Sequence, residues 1–190
     1  MTDDILALIA DILERRGAES YLGEEVTMAE HMFQTAALAE AEGAEDALVA
    51  AALLHDIGHY TSEFGTYSPD DTTDKYHDAA GAKVLEGFFP PLVVESVRLH
   101  VAAKRYLCAT DPGYYDKLSG PSKHSLALQG GPMSAAEIEL FEELDYHREA
   151  VRVRLWDDGG KVAEARTLTF DHFRPLLQRV ISKADDRSID

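Results

Sequence analysis

The stretch Ala47-Leu48-Val49-Ala50-Ala51-Ala52-Leu53-Leu54-His55-Asp56-Ile57-Gly58-His59 decides how this chain folds. Its apolar run leaves no polar face, so a helix over roughly Glu45 to Gly58 must be enclosed by other elements on every side. An imidazole and a carboxylate, His55 and Asp56, follow directly at the end of that core helix. Burying both is costly unless something compensates them, and a metal ion compensates both. Adjacent helical residues diverge by about 100°. His55 and Asp56 can therefore share one ion only at their common edge, which leaves the second oxygen of Asp56 free to turn toward another.

The flanking sequence is helical as well. Ile5, Leu6, Leu8, Ile9, Ile12 and Leu13 recur on one side of a first segment that Gly17 is expected to end. Thr27, with Glu30 three residues on, forms a capping box for a helix running to about Gly43. Further helices are expected over Tyr76 to Gly87, Pro91 to Lys104, a long one from Ser134, and a last one from Asp171 to Ile181 in which Pro175 argues for a later start. Two long connections separate them, Tyr60 to Lys75 and Arg105 to Met133, the second rich in Gly, Pro, Ser and Tyr. Structureless stretches of that length in a compact domain usually serve a site, so both read as lids or substrate-binding loops. The polar tail, 182–190, is expected to fray, leaving 1–181 as a single all-α domain.

Composition narrows the chemistry. The chain has 190 residues, 45% of them hydrophobic, with no apolar run long enough for a membrane span and acid where a signal peptide would carry positive charge. A soluble, cytoplasmic protein is expected. The single cysteine, Cys108, excludes an internal disulfide and a thiolate cluster, so any metal must be held by imidazole and carboxylate. Eighteen basic against 35 acidic residues give a formal charge of −17, which repels nucleic acid.

His31, the pair His55-Asp56 in Leu54-His55-Asp56-Ile57-Gly58-His59, and Asp157 in Leu155-Trp156-Asp157-Asp158 together resemble the signature of the HD-domain superfamily. The resemblance spans about residues 21 to 162 and implies an all-α helical bundle with the two long loops at its active site. His77 and His100 resemble the extra histidines of the two-metal members, with Asp56 as bridge. The implied metal ligands are thus His31, His55, Asp56, His77, His100 and Asp157, with Asp158 a rival for the last place that spacing does not separate.

Other residues resemble a narrower group, the HD-domain mixed-valent diiron oxygenases of phosphonate breakdown. Tyr21 and Glu24 match a pair lying over the metals and the amine end of the substrate, and His59, Lys104, Ser122, Ser125, Gln129 and Arg154 match a polar phosphonate pocket. The string Gly120-Pro121-Ser122-Lys123-His124-Ser125-Leu126-Ala127-Leu128-Gln129-Gly130-Gly131-Pro132-Met133 is the most distinctive. Residue chemistry agrees with that match. A phosphonate dianion needs fixed cations and hydroxyl donors; Lys104 follows His100 by one helical turn, and Arg154 precedes Asp157 by three residues. The resemblance implies two iron ions, Fe(II) and Fe(III), with O2 as co-substrate, and Tyr21, Glu24 and His59 in catalytic places.

The implied reaction cleaves the C–P bond of a 1-hydroxyphosphonate. A quaternary ammonium favours aromatic faces, and the long loops and their flanks supply Tyr60, Phe64, Tyr67, Tyr76, Tyr106, Tyr114 and Tyr115. A 1-hydroxy-2-(trimethylammonio)ethylphosphonate substrate, giving glycine betaine and phosphate, is therefore expected ahead of 2-amino-1-hydroxyethylphosphonate, which would give glycine. A metal-dependent HD phosphohydrolase and a non-catalytic HD ligand-binding regulator are the competing readings. Oligomeric state is left open by the sequence.

Overall fold

In the computed structural model the described residues are 2–19 and 23–187, with side chains described for all of these except 2, 3, 19 and 182–187. Ten α-helices and no strand occur among them. The first, α1 (Thr2–Asp11), does not stop at Gly17 as its sequence suggests. It passes into a π turn over Ile12–Arg16 and a 3-10 turn over Gly17–Glu19, because Gly17 keeps an ordinary helical φ of −75°. The helix α2 (Met28–Ala41) opens on the expected capping box, with the Thr27 side chain accepting from the Glu30 amide and the Glu30 carboxylate accepting from the Thr27 amide.

Enclosure of the apolar run follows from its composition. In α3 (Asp46–Leu54) every residue from 48 to 54 is at most 1% exposed. Helices α2, α5 (Pro91–Thr110), α9 (His147–Gly159) and α10 (Phe170–Arg187) pack around it, and α4 (His77–Leu85) lies along α5. The core draws on α1 to α5, α9 and α10, with Phe33 of α2 stacked on Phe173 of α10. Pro175 lies inside α10 and does not delay its start, since buried Phe170, Phe173 and Leu177 hold the helix on both sides of the missing amide donor.

Four further expectations need correction. The core helix ends at Leu54 and not at Gly58: Asp56 leaves helical geometry at φ −100° and ψ 8°, and a 3-10 turn follows over Ile57–Tyr60. The second supposed loop is mostly helical. α5 continues to Thr110, α6 covers Tyr114–Lys117 and α7 covers Gly120–Leu128. Ser119 caps α7 and Pro121 sits in its first turn, so what reads as loop composition is helix punctuation. The long helix from Ser134 is two, α8 (Ala135–Glu142) and α9, parted where Tyr146 turns left-handed at φ 62°. Finally, α10 outruns Ile181, and only 188–190 of the expected tail fall outside the described residues. The first long connection is irregular, as expected.

Among the described residues no helix is long and apolar enough to cross a membrane.

Candidate metal centre

Five helical segments converge on one cleft. His31 stands in the first turns of α2, His55 and Asp56 at the end of α3, His77 at the first residue of α4, His100 midway along α5 and Asp157 near the end of α9. All six are buried. The approach of α4 depends on Gly58: a Cβ there would lie 1.6 Å from the His77 carbonyl oxygen. Only a residue without a side chain lets the 3-10 turn sit against α4 and bring His77 to Asp56.

Backbone carbonyls fix the rings. His31 Nδ1 lies 2.9 Å from the Gly160 carbonyl oxygen, His55 Nδ1 2.8 Å from that of Ala52, and His100 Nδ1 2.7 Å from that of Val97. A carbonyl only accepts, so each Nδ1 donates its proton and each Nε2 keeps a lone pair. Yet His31 Nε2 and His55 Nε2 face each other at 3.1 Å. Two lone pairs in contact need a cation or a proton between them. His77 Nε2 and His100 Nε2 face at the same 3.1 Å.

Asp56 lies between the two pairs. Its Oδ2 is 3.4 Å from His31 Nε2 and 3.3 Å from His55 Nε2, while its Oδ1 is 3.5 Å from both His77 Nε2 and His100 Nε2. Asp157 Oδ1 closes the first group, 3.3 Å from His31 Nε2. The sets His31, His55, Asp157 and Asp56, His59, His77 each have the spacing to hold a metal ion. His59 thus competes with His100 for the second set. Its Nε2 is 3.8 Å from Asp56, and its Nδ1 is buried without a hydrogen bond, so nothing orients the ring as Val97 orients His100.

The site's electrostatics call for positive charge at its centre. Burial works against a charged His31, but the hydrogen bonds it donates to Asp157 and Asp56 push its pKa up to about 9. Burial likewise opposes ionisation of the two carboxylates and is overcome: electrostatic attraction from His55 and hydrogen bonds from His100 and His31 hold Asp56, and the charges of Arg154 and Lys161 hold Asp157, well below the usual range. His59, desolvated by burial, drops to about 4 and is a neutral ring stacked on His77. Imidazole and carboxylate in this pattern suit a pair of divalent or trivalent ions.

Which of the two neighbouring aspartates faces the histidines is settled by hydrogen bonding. Asp158 turns away to Arg154 and to the Tyr114 hydroxyl. Asp157 shares that guanidinium, accepting from Arg154 NH1 at 2.5 Å, while its other oxygen meets His31.

Beside the histidines the cleft has a cationic wall. Lys104 Nζ donates to Ser125 Oγ at 2.9 Å, and Lys104, Ser122, Ser125, Gln129 and Arg154 all line the opening. The Gln129 Oε1 atom is buried without a partner. Glu24 lies at the same mouth, accepting from Ser119 Oγ at 2.6 Å, and Tyr21 lies outside the described residues. Of the seven aromatics that the sequence offers for a head group, only Tyr67 lines the cleft. Phe64 and Tyr76 pack on each other, Tyr106 packs on Phe141, and Tyr114 holds Asp158.

Sequence reasoning misses two contributors. Lys161 lines the cleft and reaches Ser122, and Tyr114 orients Arg154 by accepting from its Nε at 3.0 Å. Lys161 is four residues beyond Asp157, a spacing that flags it as Lys104 was flagged. Nothing local marks Tyr114, whose place depends on how α6 packs.

Residues 28–158 match the family described as HD domain. The chain is 53% identical over 180 residues to a 1-hydroxy-2-(trimethylamino)ethylphosphonate dioxygenase (glycine-betaine-forming) of Leisingera caerulea, covering 95% of this chain and 92% of that relative. It is 44% identical over 145 residues to a hydroxymethylphosphonate dioxygenase of Gimesia maris, covering 76% of this chain and 72% of that one.

Proposed function

The chain belongs to the HD-domain family, and from that premise we propose that it is a diiron dioxygenase cleaving the C–P bond of 1-hydroxy-2-(trimethylammonio)ethylphosphonate, with glycine betaine and inorganic phosphate as products. One observation carries the reading. A carboxylate divided between two pairs of imidazoles lies in the same cleft as a wall of buried cations and hydroxyls. The first arrangement suits two metal ions, and the second suits a phosphonate. Similarity over nearly the whole chain to the glycine-betaine-forming relative supports the trimethylammonio head group, which the aromatic supply of the loops does not.

In this proposal His31, His55 and Asp157 would hold one ion, His77 and His100 the other, and Asp56 would serve both. An Fe(II)/Fe(III) pair would supply the electrons and dioxygen chemistry that oxygenation requires. The protein's own residues have distinct tasks. Lys104, Ser122, Ser125 and Gln129 bind and orient the phosphonate by charge and hydrogen bonds, and Arg154 adds its charge while fixing Asp157. Neutral His59 offers a hydrogen bond beside the substrate hydroxyl. Tyr21 and Glu24 are assigned, as the resemblance implies, to guard the centre until substrate arrives. A cytoplasmic location suits such small-molecule breakdown.

The test is phosphate release from the trimethylammonio substrate by the iron-loaded protein. Release that requires both iron and dioxygen is expected, with glycine betaine as the co-product. Oxygen-independent hydrolysis of phosphomonoesters, without C–P cleavage, would replace this reading with a phosphohydrolase.

A further inference from the structure

Lys161 has no task in the function proposed so far, yet it lines the same cleft as Lys104 and Arg154. It follows α9 directly after Gly159 and Gly160, and its Nζ lies 3.0 Å from Ser122 Oγ, 3.4 Å from Glu24 Oε1 and 3.6 Å from Asp157 Oδ1. Lys104 is paired in the same manner with Ser125, at 2.9 Å. Ser122 and Ser125 are one turn apart on α7, so their hydroxyls face the same way. Two ammonium groups, each bound to a hydroxyl of one helix, frame a single opening.

An ammonium has three protons to donate, and Lys161 has three oxygen neighbours. They are not equally fixed. Asp157 is held by Arg154 and His31, and Ser122 is buried within α7. Glu24 is on the irregular segment before α2, and its second anchor is the hydroxyl of Ser119. It is the partner that can leave. A tetrahedral dianion also satisfies this wall better than a lone carboxylate, because its oxygens can accept from Lys161, Lys104 and both hydroxyls together.

We propose that Lys161 is a second cation of the anion subsite, and that the phosphonate or phosphate group takes the place of Glu24 at its ammonium. The proposal deepens the function given above and rests on it. Filling of the subsite is thereby communicated to Glu24, which exchanges one partner for solvent when the anion arrives.

Calorimetric titration of inorganic phosphate into the metal-loaded, oxygen-free protein tests the exchange. Lys161→Met is expected to weaken phosphate binding about tenfold or more, and Lys161→Arg to retain most of it. Glu24→Gln is expected to tighten binding by about threefold, since the competing carboxylate is gone, and to have no such effect in the Lys161→Met background. Unchanged affinity in Lys161→Met overturns the proposal. So does a Glu24→Gln variant that binds phosphate no better than the parent, a result that does not depend on Lys161 variants folding. If either happens while oxygen-dependent phosphate release continues, this proposal alone fails; a parent protein that releases no phosphate from the phosphonate removes the functional reading beneath it.

Discussion

His31 and His55 aim their Nε2 atoms at each other across 3.1 Å, although both rings have already given their Nδ1 protons to backbone carbonyls. Such a contact is repulsive until a positive charge enters it. Without metal that charge is a proton on His31, whose pKa is raised to about 9. The raised value means that this group's contribution to metal-free stability is fully present below the unfolded pKa of about 6.5 and is lost as pH rises through 9. Metal must displace the proton. At pH 7 metal addition should therefore acidify an unbuffered solution, which a pH electrode reads directly. At a hundredfold excess over Kd it should stabilise the fold by about 2.7 kcal/mol, read from the melting curve.

Removing a ligand of the second set should leave the first intact. His77→Ala and His100→Ala are each expected to hold one metal per chain, with oxygen-dependent phosphate release falling about a hundredfold or more. Elemental analysis of the purified variants checks this. His59→Ala, which removes the ring whose Nδ1 has no backbone partner, should keep both metals. The reverse pattern would exchange the roles of His59 and His100.

The two adjacent aspartates should separate cleanly. Asp157→Ala is expected to lose metal from the first set. Asp158→Ala should retain both metals but lose about 2 kcal/mol of stability, because Arg154 stays buried with one carboxylate partner gone. Metal content and urea denaturation of the two variants decide the point.

Gly58→Ala is the sharpest structural test. Its new methyl group cannot coexist with a carbonyl oxygen at 1.6 Å, so the turn and α4 must part. A loss of about 3 kcal/mol or more is expected, together with loss of the second metal because His77 moves with α4. Thr27→Ala, by contrast, removes only a cap and should cost about 1 kcal/mol with metal content unchanged.

Lys104 should register the anion in its protonation. Burial, and then the neighbouring charge of Arg154, lower its pKa to about 7, against the pull of Asp157. The unfolded chain, titrating near 10.4, binds more protons between pH 7 and 10.4, so this group's contribution to stability rises with pH across that window. A bound anion favours the charged form. Phosphate binding at pH 8 should then take up a proton and weaken as pH increases further. Calorimetry in two buffers of different ionisation heat measures the uptake, and an identical heat in both would contradict the assignment.

Much of this was legible in the residues because periodicity and burial cost are local properties. The run from 47 to 54 announces an enclosed helix, and Thr27 with Glu30 announces the start of α2, as observed. His31, His55, Asp56, His77, His100 and Asp157, together with Glu24, His59, Lys104, Ser122, Ser125, Gln129 and Arg154, lie at one site. Tertiary contacts account for the rest. Tyr146 breaks a helix with no glycine or proline to mark it, Ser119 and Pro121 start a helix where a loop was expected, and Tyr114 reaches Arg154 only through the packing of α6. Aromatic supply pointed to the head group that the glycine-betaine-forming relative also supports, but only Tyr67 of the seven rings lines the cleft, because counting rings in a loop says nothing about whether they turn inward or onto each other.

The divided carboxylate of Asp56 has a further consequence. Its two oxygens are separated by bond lengths and a bond angle, which no repacking of helices alters. Any two cations held by the pairs on either side of it would be tied to that one rigid group, while the helices determine how firmly it is gripped. Substitutions in the surrounding core that loosen this grip would disturb both histidine pairs at once, because both lean on a single side chain.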